Sequence, residues 1–423
     1  MVKKLFVLFL SLLFLSCGSK KNDNPNQVTI KVTHWYSENT WEWEGAIKEF
    51  NKKYPDINVE IEPIVYQLYL QKLLTSSVGN TQIGDLLIVE DWFAQELLEK
   101  EYFVDLTNFI HTELDTANLF MKAFYDYQNS KGEIICVPTF LITPVLIYNK
   151  DMFDNAGIEY PDSTWTYTDL VETAKKLTKD IDGDGTPDEW GFALNYSPLL
   201  DMMLYAFGGG VLNAEKTAAV LHEPASIEGL KFFIDMYTIH KIAPPPNPAT
   251  MNNNSEFMSG RYAMAVTPDF KSKLRSLPFR WNFTYPPKGP SKRVSIRASQ
   301  GFGIPKDCQH PKEALIFLKW LVNELPPKYS DLAEGLLPIN KKVAWSEEYL
   351  NGNPACDRKV IIDLQENYCF NYLRPGYSEL KDYGFQSEIE KAIMGQISAE
   401  ESGIQGSKKV DEVIRKNTTY KKK

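Results

Sequence analysis

The 423-residue chain contains little histidine or cysteine, five of each, and lacks several short catalytic motifs. The histidines, at positions 34, 111, 222, 240 and 310, nowhere have the spacing of zinc ligands. No G-x-S-x-G segment, the mark of a nucleophile elbow, occurs in the sequence. Gly79 and Gly84 have the separation found in a phosphate-binding loop, but Asp85 stands where that loop requires lysine. These absences argue against zinc, nucleophile-elbow and P-loop enzymes.

A basic excess is also missing, because 46 lysines and arginines face 55 acidic residues and give a formal net charge of −9. This charge argues against nucleic acid as the main partner. Apolar residues make up 43% of the chain and charged residues 24%, which is typical of a globular protein. The length predicts two or three folding units.

One long apolar run is present, over residues 5–15 with Ser11 as its one interruption, and Lys3 and Lys4 precede it. The run is shorter than the ~20 residues of a membrane-spanning helix, so it predicts a secretion signal. We found no second run of this kind, which predicts an exported, water-soluble body.

Cys17 directly follows this run and resembles the acylated cysteine of a bacterial lipobox, although Phe14 stands where that pattern usually has leucine. The resemblance implies a signal peptide over residues 1–16 and a lipid on Cys17, the alternative being a plain signal peptide with an incidental cysteine. Residues 17–27 are polar and predict a flexible tether. The expected location is extracytoplasmic, with the lipid anchor as the one membrane contact.

Four cysteines remain in the exported body, namely Cys136, Cys308, Cys356 and Cys369. Disulfides are allowed in such a compartment. Spacing does not decide among three pairings and free thiols.

Periodicity predicts alternating strands and helices from residue 28 onward. Val28, Ile30 and Val32 alternate with polar residues as in a strand, and residues 43–54 have an apolar stripe of helical spacing. Residues 85–89 read DLLIV, and the continuous apolar run that follows Asp85 indicates a parallel strand covered on both faces. The pattern predicts an α/β fold built on open sheets.

Two of the predicted strands end in the same combination of residues. The first is followed by Trp35, Tyr36, Ser37 and Glu38, and the third ends in Glu90, Asp91 and Trp92. In open α/β sheets ligands bind beyond the carboxyl ends of the strands. Aromatic rings stack on sugar C–H faces and carboxylates accept hydrogen bonds from hydroxyls, so these residues predict a carbohydrate site. A phosphate-bearing solute would instead call for arginine or lysine, which these two segments lack.

Two further tryptophans lie close to the first segment. Trp43 lies on the helical stripe with Ile47 and Phe50, so we expect it in the core. The role of Trp41 stays open.

The sequence resembles the family 1 extracellular solute-binding proteins of ABC importers, the group that includes maltose- and glycerol-phosphate-binding types. The segments that carry the resemblance occur in order over nearly the whole chain: "FNKKYPDINVEI", "GDLLIVEDWF", "CVPTFLITPVLIYNKDMFDNAGI", "TWTYTDLVETAKKLT", "FMSGRYAMAV", "GFGIPK", "GLLPINKK" and "RPGYSEL". The resemblance implies a two-lobed, type II periplasmic-binding-protein fold with solute held between the lobes.

The resemblance also implies where the lobes and their connections lie. Lobe 1 would comprise residues 28–139 and 299–341, and lobe 2 residues 144–298 and 342–423. The chain would cross the hinge near 138–143, 299 and 341. Phe140 from the hinge and Tyr196 from lobe 2 would join the cleft, and Trp281 is a further candidate that no family motif anchors.

The function implied is a monomeric binding protein that captures an oligosaccharide and hands it to the permease subunits of an ABC importer, with no required cofactor. One alternative is an exported glycoside hydrolase that uses paired acids such as Glu38 and Asp91. Another is a binding component that serves a membrane sensor.

Residues 180–191 contain a second cluster of acidic residues. Asp180, Asp182, Asp184 and Asp188 occupy positions 1, 3, 5 and 9 of a calcium loop, and Thr186 would supply a carbonyl. Gly191 stands where such loops carry a bidentate glutamate, so Glu189 or a more distant residue would have to replace it. The cluster predicts a structural calcium ion or, as the alternative, a hydrogen-bonded turn.

Overall fold

The computed structural model describes residues 27–35, 40–79, 81–194, 198–244, 255–268, 274, 277–329, 336–352, 356–371 and 376–420. Its strands, in chain order, are β1 (Val28–His34), β2 (Ile57–Pro63), β3 (Leu86–Glu90), β4 (Val137–Ile142), β5 (Val145–Asn149), β6 (Met264–Thr267), β7 (Trp281–Thr284), β8 (Ser295–Ile296), β9 (Ala298–Gly303), β10 (Leu337–Pro338) and β11 (Cys369–Phe370).

The helices alternate with these strands in the first half of the chain and dominate its end. They are α1 (Thr40–Lys53), α2 (Tyr66–Gly79), α3 (Asp91–Ala94), α4 (Thr107–Glu113), α5 (Lys150–Ala156), α6 (Tyr167–Leu177), α7 (Leu199–Ala206), α8 (Pro224–Thr238), α9 (Ser255–Met258), α10 (Pro311–Asn323), α11 (Lys341–Ala344), α12 (Glu347–Leu350), α13 (Lys359–Asn367), α14 (Tyr377–Glu379), α15 (Gln386–Ile393) and α16 (Ala399–Tyr420). Short 3₁₀ helices cover Thr116–Asn118 and Met121–Tyr127, and a π-helical turn covers Leu380–Phe385.

The larger sheet has six strands in the order β10-β4-β9-β3-β1-β2. β1 pairs in parallel with both β2 and β3, whereas β9 runs antiparallel to its neighbours β3 and β4. Ile30 and Val32 are fully buried, as the alternating pattern of β1 predicts. The first four residues of β3 are buried as well, in agreement with a strand covered on both faces.

Helix α1 packs its apolar stripe into the core beneath this sheet. Trp43 is 1% exposed and Phe50 0%, so the core assignment of Trp43 is confirmed. The side chain of Trp41 lies outside the described residues. Pro55 lies just beyond the helix, in the short turn to β2.

The rest of the chain builds two smaller sheets, of order β6-β5-β7 and β11-β8. Helices α6, α7 and α8 and the C-terminal helices bury their apolar faces against one side of the three-stranded sheet. Helix α6 begins with a capping box between Thr166 and Asp169, which satisfies two backbone N–H groups that a helix start leaves open.

The chain passes between the sheets at short connections. Residues 143–144 join β4 of the six-stranded sheet to β5 of the three-stranded sheet, and Arg297 joins β8 to β9. The first of these connections is buried, because Thr143 is 1% exposed and accepts a hydrogen bond from Gln365 Nε2 at 2.7 Å. The lobe boundaries drawn from the sequence stay a prediction.

The structure shows the state of the cysteines and the lengths of the helices, both of which the sequence analysis considered. Cys136, Cys308, Cys356 and Cys369 are not joined in disulfides, and unpaired thiols are one of the alternatives that the sequence left open. Within the described part of the chain, every helix is too short or too polar to cross a bilayer.

His34, the last residue of β1, gives the fold a specific pH dependence. Its ring is fully buried and stacks on Trp43, with centroids 5.4 Å apart and planes 21° from parallel. Burial lowers the pKa of His34 to about 4. In the unfolded chain the imidazole titrates near ~6.5, so the unfolded state binds a proton first as the pH falls, and folded-state stability is lost from about pH 6.5 towards about pH 4.

We therefore expect His34 to reduce the free energy of unfolding by about 2 kcal/mol between pH 7 and pH 5. Urea denaturation at the two pH values measures this difference in the wild type and in His34→Phe, which keeps a ring against Trp43. The variant should show a smaller pH dependence, and His111→Gln, a change at an exposed histidine, should not. Equal pH dependence in wild type and His34→Phe would contradict the assignment.

Candidate functional site

Three elements of the six-stranded sheet deliver aromatic residues to the same edge. Because β1 is parallel to β2 and β3, with Val32 opposite Leu86, the carboxyl ends of these strands lie side by side. Trp35 directly follows β1, Tyr66 opens α2 after β2, and Trp92 lies just beyond β3. All three rings are half-buried, so each keeps an accessible part.

Glu90, the last residue of β3, holds two of these rings through its carboxylate. Oε2 accepts hydrogen bonds from the Tyr66 hydroxyl at 2.7 Å and from Trp92 Nε1 at 2.5 Å. Oε1 accepts a third hydrogen bond from Gln300 Nε2 at 3.1 Å. Hydrogen bonds to an ionised acceptor are the strong ones, so the carboxylate fixes both rings relative to the sheet.

Trp35 completes the group by packing edge-on against tyrosines of α2. Its ring centroid lies 5.3 Å from that of Tyr66 and 5.2 Å from that of Tyr69, with interplanar angles of 88° and 71°. Tyr69 is fully buried and donates its hydroxyl hydrogen to the Ile88 carbonyl at 2.7 Å. We call Trp35, Tyr66, Glu90, Trp92 and Gln300 the rim cluster.

Tyr66 stays protonated within the rim cluster. Burial and the neighbouring negative charge of Glu90 raise the pKa of its hydroxyl well above the usual value. The phenol therefore acts as a hydrogen-bond donor to Glu90 at any physiological pH. Sequence inspection missed Tyr66 and Gln300; the signals were a tyrosine after the second strand and the glutamine of "QGFGIP".

The strand register extends the rim cluster towards the connection between the sheets. Glu90 is opposite Gln300, and Gln300 is opposite Phe140, so these three residues form a row across β3, β9 and β4. Residues in such a row project from the same face of a sheet. Phe140 is 5% exposed. The structure thus aligns Phe140 with the cluster but buries it, and its contact with solute stays a prediction.

The Asp91 side chain is buried, unlike those of its chain neighbours Glu90 and Trp92. It is 1% exposed, and its carboxylate accepts hydrogen bonds from three N–H donors within the protein. These are the Trp92 amide at 2.8 Å, the Ser299 amide at 3.1 Å and Asn371 Nδ2 at 3.2 Å. The structure therefore places the Asp91 carboxylate inside the protein, away from the exposed part of the rim.

Trp281 lies in the three-stranded sheet, and the contacts described for it do not join it to the rim cluster. It starts β7 opposite Asn149, and its indole N–H donates to the Leu274 carbonyl at 2.9 Å. Tyr36, Ser37, Glu38 and Tyr196 lie outside the described residues. The ligand-binding roles assigned to these four residues and to Trp281 stay predictions.

The acidic loop folds as a tight turn in which three carboxylates converge. Ligand oxygens of Asp180, Asp182 and Asp188 lie within 4.8 Å of one another, which fits the oxygen-rich donor set of calcium. The Asp184 carboxylate is not in this group and accepts from the Thr186 amide at 2.7 Å. Asp180 and Asp188 also accept from backbone amides of the loop. Calcium binding at this loop, with Asp184 and Thr186 as further ligands, stays a prediction.

If calcium binds there, adding the ion should raise the melting temperature relative to protein in EGTA, because a ligand that binds only the folded state stabilises it. Differential scanning calorimetry measures the shift. Asp182→Asn should reduce it, whereas Asp382→Asn, a matched change at an exposed aspartate, should leave it unchanged. An equal melting temperature in calcium and in EGTA would rule the ion out.

Solved structures share the whole architecture. A maltose-bound MalE3 from T. maritima superimposes with a TM-score of 0.74 at 20% identity, covering 91% of this chain and 100% of that one. An ABC substrate-binding protein from Listeria monocytogenes in complex with cycloalternan gives a TM-score of 0.79 at 24% identity, covering 92% and 99%. The two-lobed, type II periplasmic-binding-protein fold expected from the sequence is thereby confirmed.

Sequence comparison points in the same direction. The arabinooligosaccharide-binding protein of Bacillus subtilis is 23% identical over 444 aligned residues, covering 93% of this chain and 96% of that protein. The family profile described as bacterial extracellular solute-binding protein matches residues 37–324. That match spans more than half of the sequence, and the chain belongs to the family of bacterial extracellular solute-binding proteins.

Proposed function

We propose that this solute-binding protein captures a carbohydrate, specifically an oligosaccharide, between its two lobes and delivers it to an ABC importer. The single observation that carries the proposal is the rim cluster. There one carboxylate, Glu90, anchors the rings of Tyr66 and Trp92, and Trp35 packs beside them. Half-exposed rings held in fixed orientations are platforms for the C–H faces of sugars.

The polar atoms of the rim cluster suit sugar hydroxyls as partners. Carboxylate, amide and phenol groups within one aromatic wall can each exchange hydrogen bonds with a hydroxyl, and few such groups are needed in a largely apolar site. The charged residue of the cluster, Glu90, is an anion. The guanidinium of Arg297 is bonded to both carboxylate oxygens of Asp126, at 2.8 and 3.0 Å, so it is not presented as a phosphate ligand.

The names of similar proteins support this solute class. The relatives reported above include one named for arabinooligosaccharides and structures solved with maltose or cycloalternan. Each of those solutes is a carbohydrate, and each protein shares most of its length with this chain. The alternative of a binding component for a membrane sensor has no comparable support.

The mechanism follows from the position of the rim cluster on one lobe. The solute first docks on the rings of the six-stranded sheet, and the lobes then rotate about the short connections at residues 143–144 and 297. Closure is favoured because the solute contacts both lobes only in the closed state, so its binding energy shifts the population towards that state. The permease subunits of the importer would recognise the closed form.

The rival function of a glycoside hydrolase needs two carboxyl groups that face the same bond. Asp91, one of the acids considered for that role, is buried with three N–H donors. Glu38, the other acid considered, lies outside the described residues. Glu90, the neighbouring acid, is occupied by three donors of its own. Asp91 and Glu90 thus both have structural partners, which favours binding over catalysis.

A thermal-shift screen with mono- and oligosaccharides should identify the solute, and Trp35→Ala and Trp92→Ala should each weaken its binding. We expect a loss of ~1 to 2 kcal/mol or more per ring, which corresponds to roughly fivefold to thirtyfold in Kd. Isothermal titration calorimetry measures both variants. Trp345→Ala is the matched control, because that indole is 48% exposed and lies outside the rim cluster.

Unchanged affinity in both ring variants would refute the placement of the site. Release of reducing ends during incubation with the bound sugar would instead favour the hydrolase.

We also propose that Cys17, which lies outside the described residues, carries a lipid that tethers the protein to the cell membrane. Metabolic labelling with a radioactive fatty acid should label the wild type, and Cys17→Ala should remove the label and release the protein from the membrane fraction. Cys308→Ala is the control, because this cysteine lies in the folded body. Equal labelling of wild type and Cys17→Ala would contradict the anchor.

A further inference from the structure

Asp91 ties together three segments that are far apart in the chain. It begins α3, directly after the strand that carries Glu90, and its carboxylate accepts the amide N–H of Trp92. Its second oxygen, Oδ2, accepts from the Ser299 amide on β9 and from Asn371 Nδ2. Asn371 directly follows β11 of the two-stranded sheet. One buried carboxylate therefore joins the loop that bears Trp92 to two later parts of the chain.

Both of those later parts adjoin the connection at Arg297. Ser299 lies two residues after it, and β11 pairs with β8, the strand that ends just before it. The Arg297 amide donates to the Phe370 carbonyl at 2.8 Å, so the connection and the residue preceding Asn371 are directly bonded. The Asp91 contacts thus reach both sides of the passage between the sheets.

A buried ion pair lies in the same region. The Arg297 guanidinium is bidentate with Asp126, and the two side chains are only 10% and 9% exposed. Asp126 belongs to the 3₁₀ helix that precedes β4. Burial, followed by the negative charges of Asp126 and Glu90, raises the pKa of Asp91 well above its usual range. The protein thus keeps an acid at a position that disfavours its charge, where an apolar residue could not accept the three N–H bonds.

We propose that Asp91 is a positioning residue that never touches the solute. It instead couples the orientation of Trp92 to the angle between the lobes. Rotation at Arg297 moves β11 and Asn371 relative to β3, and the Asp91 hydrogen bonds transmit that movement to the Trp92 amide. The role of Trp92 in this statement rests on the proposed function. The coupling between Asn371 and Asp91 is independent of what the solute is.

The variant that isolates this coupling is Asn371→Ala, because it removes one donor and leaves the rim cluster intact. We expect the radius of gyration of the unliganded protein, measured by small-angle X-ray scattering, to differ from that of the wild type. For an identified solute, the affinity should change by at least about fivefold, the scale of coupling between linked sites. Asn367→Ala, at an exposed asparagine of α13, should behave as the wild type.

A melting temperature measured for each variant separates coupling from simple loss of stability. Asn371→Asp places a second carboxyl group opposite Asp91 Oδ2 in place of the donor, and it should alter the radius of gyration while the variant stays folded. If Asn371→Ala fails to fold, Asn371→Ser replaces it. A wild-type radius of gyration in the folded single variants would overturn the proposal.

The result is distinguishable from failure of the proposed function. If no carbohydrate binds the wild type, the function is wrong, but scattering on the unliganded variants still decides whether Asp91 and Asn371 set the angle. If sugars bind and the variants scatter as the wild type does, the function stands and this inference fails.

Discussion

The parallel pairing of β1 with β2 and β3 is the constraint on which the site depends. Parallel strands end at the same edge of a sheet, so whatever follows them in sequence is brought together without any long-range signal in the loops. In this protein Trp35, the start of α2 and Glu90 meet at that edge. A change of register by one residue would turn Glu90 to the opposite face and dismantle the group.

Glu90 illustrates how one carboxylate can orient the aromatic side chains around it. Free tyrosine and tryptophan side chains sample several rotamers, and ordering them on ligand binding costs conformational entropy. With the Tyr66 hydroxyl and the Trp92 indole N–H bonded to one carboxylate oxygen, much of that ordering is complete before any solute arrives. Preorganisation of this kind favours affinity for flat, rigid ligand surfaces.

Local patterns predicted the elements of the fold because each depends on a few neighbouring residues. The alternation in Val28, Ile30 and Val32 and the apolar run before Glu90 correspond to β1 and β3. Trp43 was placed in the core by its helical spacing, and it is buried. Family resemblance supplied the two-lobed arrangement, which no periodicity in the chain could have indicated.

The site could be predicted only in part because its partners are remote in sequence. Glu90 and Gln300 are 210 residues apart, Asp91 and Ser299 are 208 apart, and Asp91 and Asn371 are 280 apart. Adjacent acids in one short segment look alike in sequence, yet the strand turns Glu90 to the rim and the start of α3 turns Asp91 to the interior. The two acids differ in the distant N–H donors that they meet, and the folded sheet brings those donors within hydrogen-bonding distance.

The position of β9 also governs when the larger sheet can form during synthesis. Within the described residues, β3 and β4 are joined only through β9, whose residues come more than 150 positions later than those of β4. Until the ribosome has made Gly303, both strands keep an unpaired edge, and the first third of the chain cannot complete its sheet. The polypeptide therefore stays incompletely folded until most of it has been translated, a state in which it is open to chaperones and to passage through a narrow membrane channel.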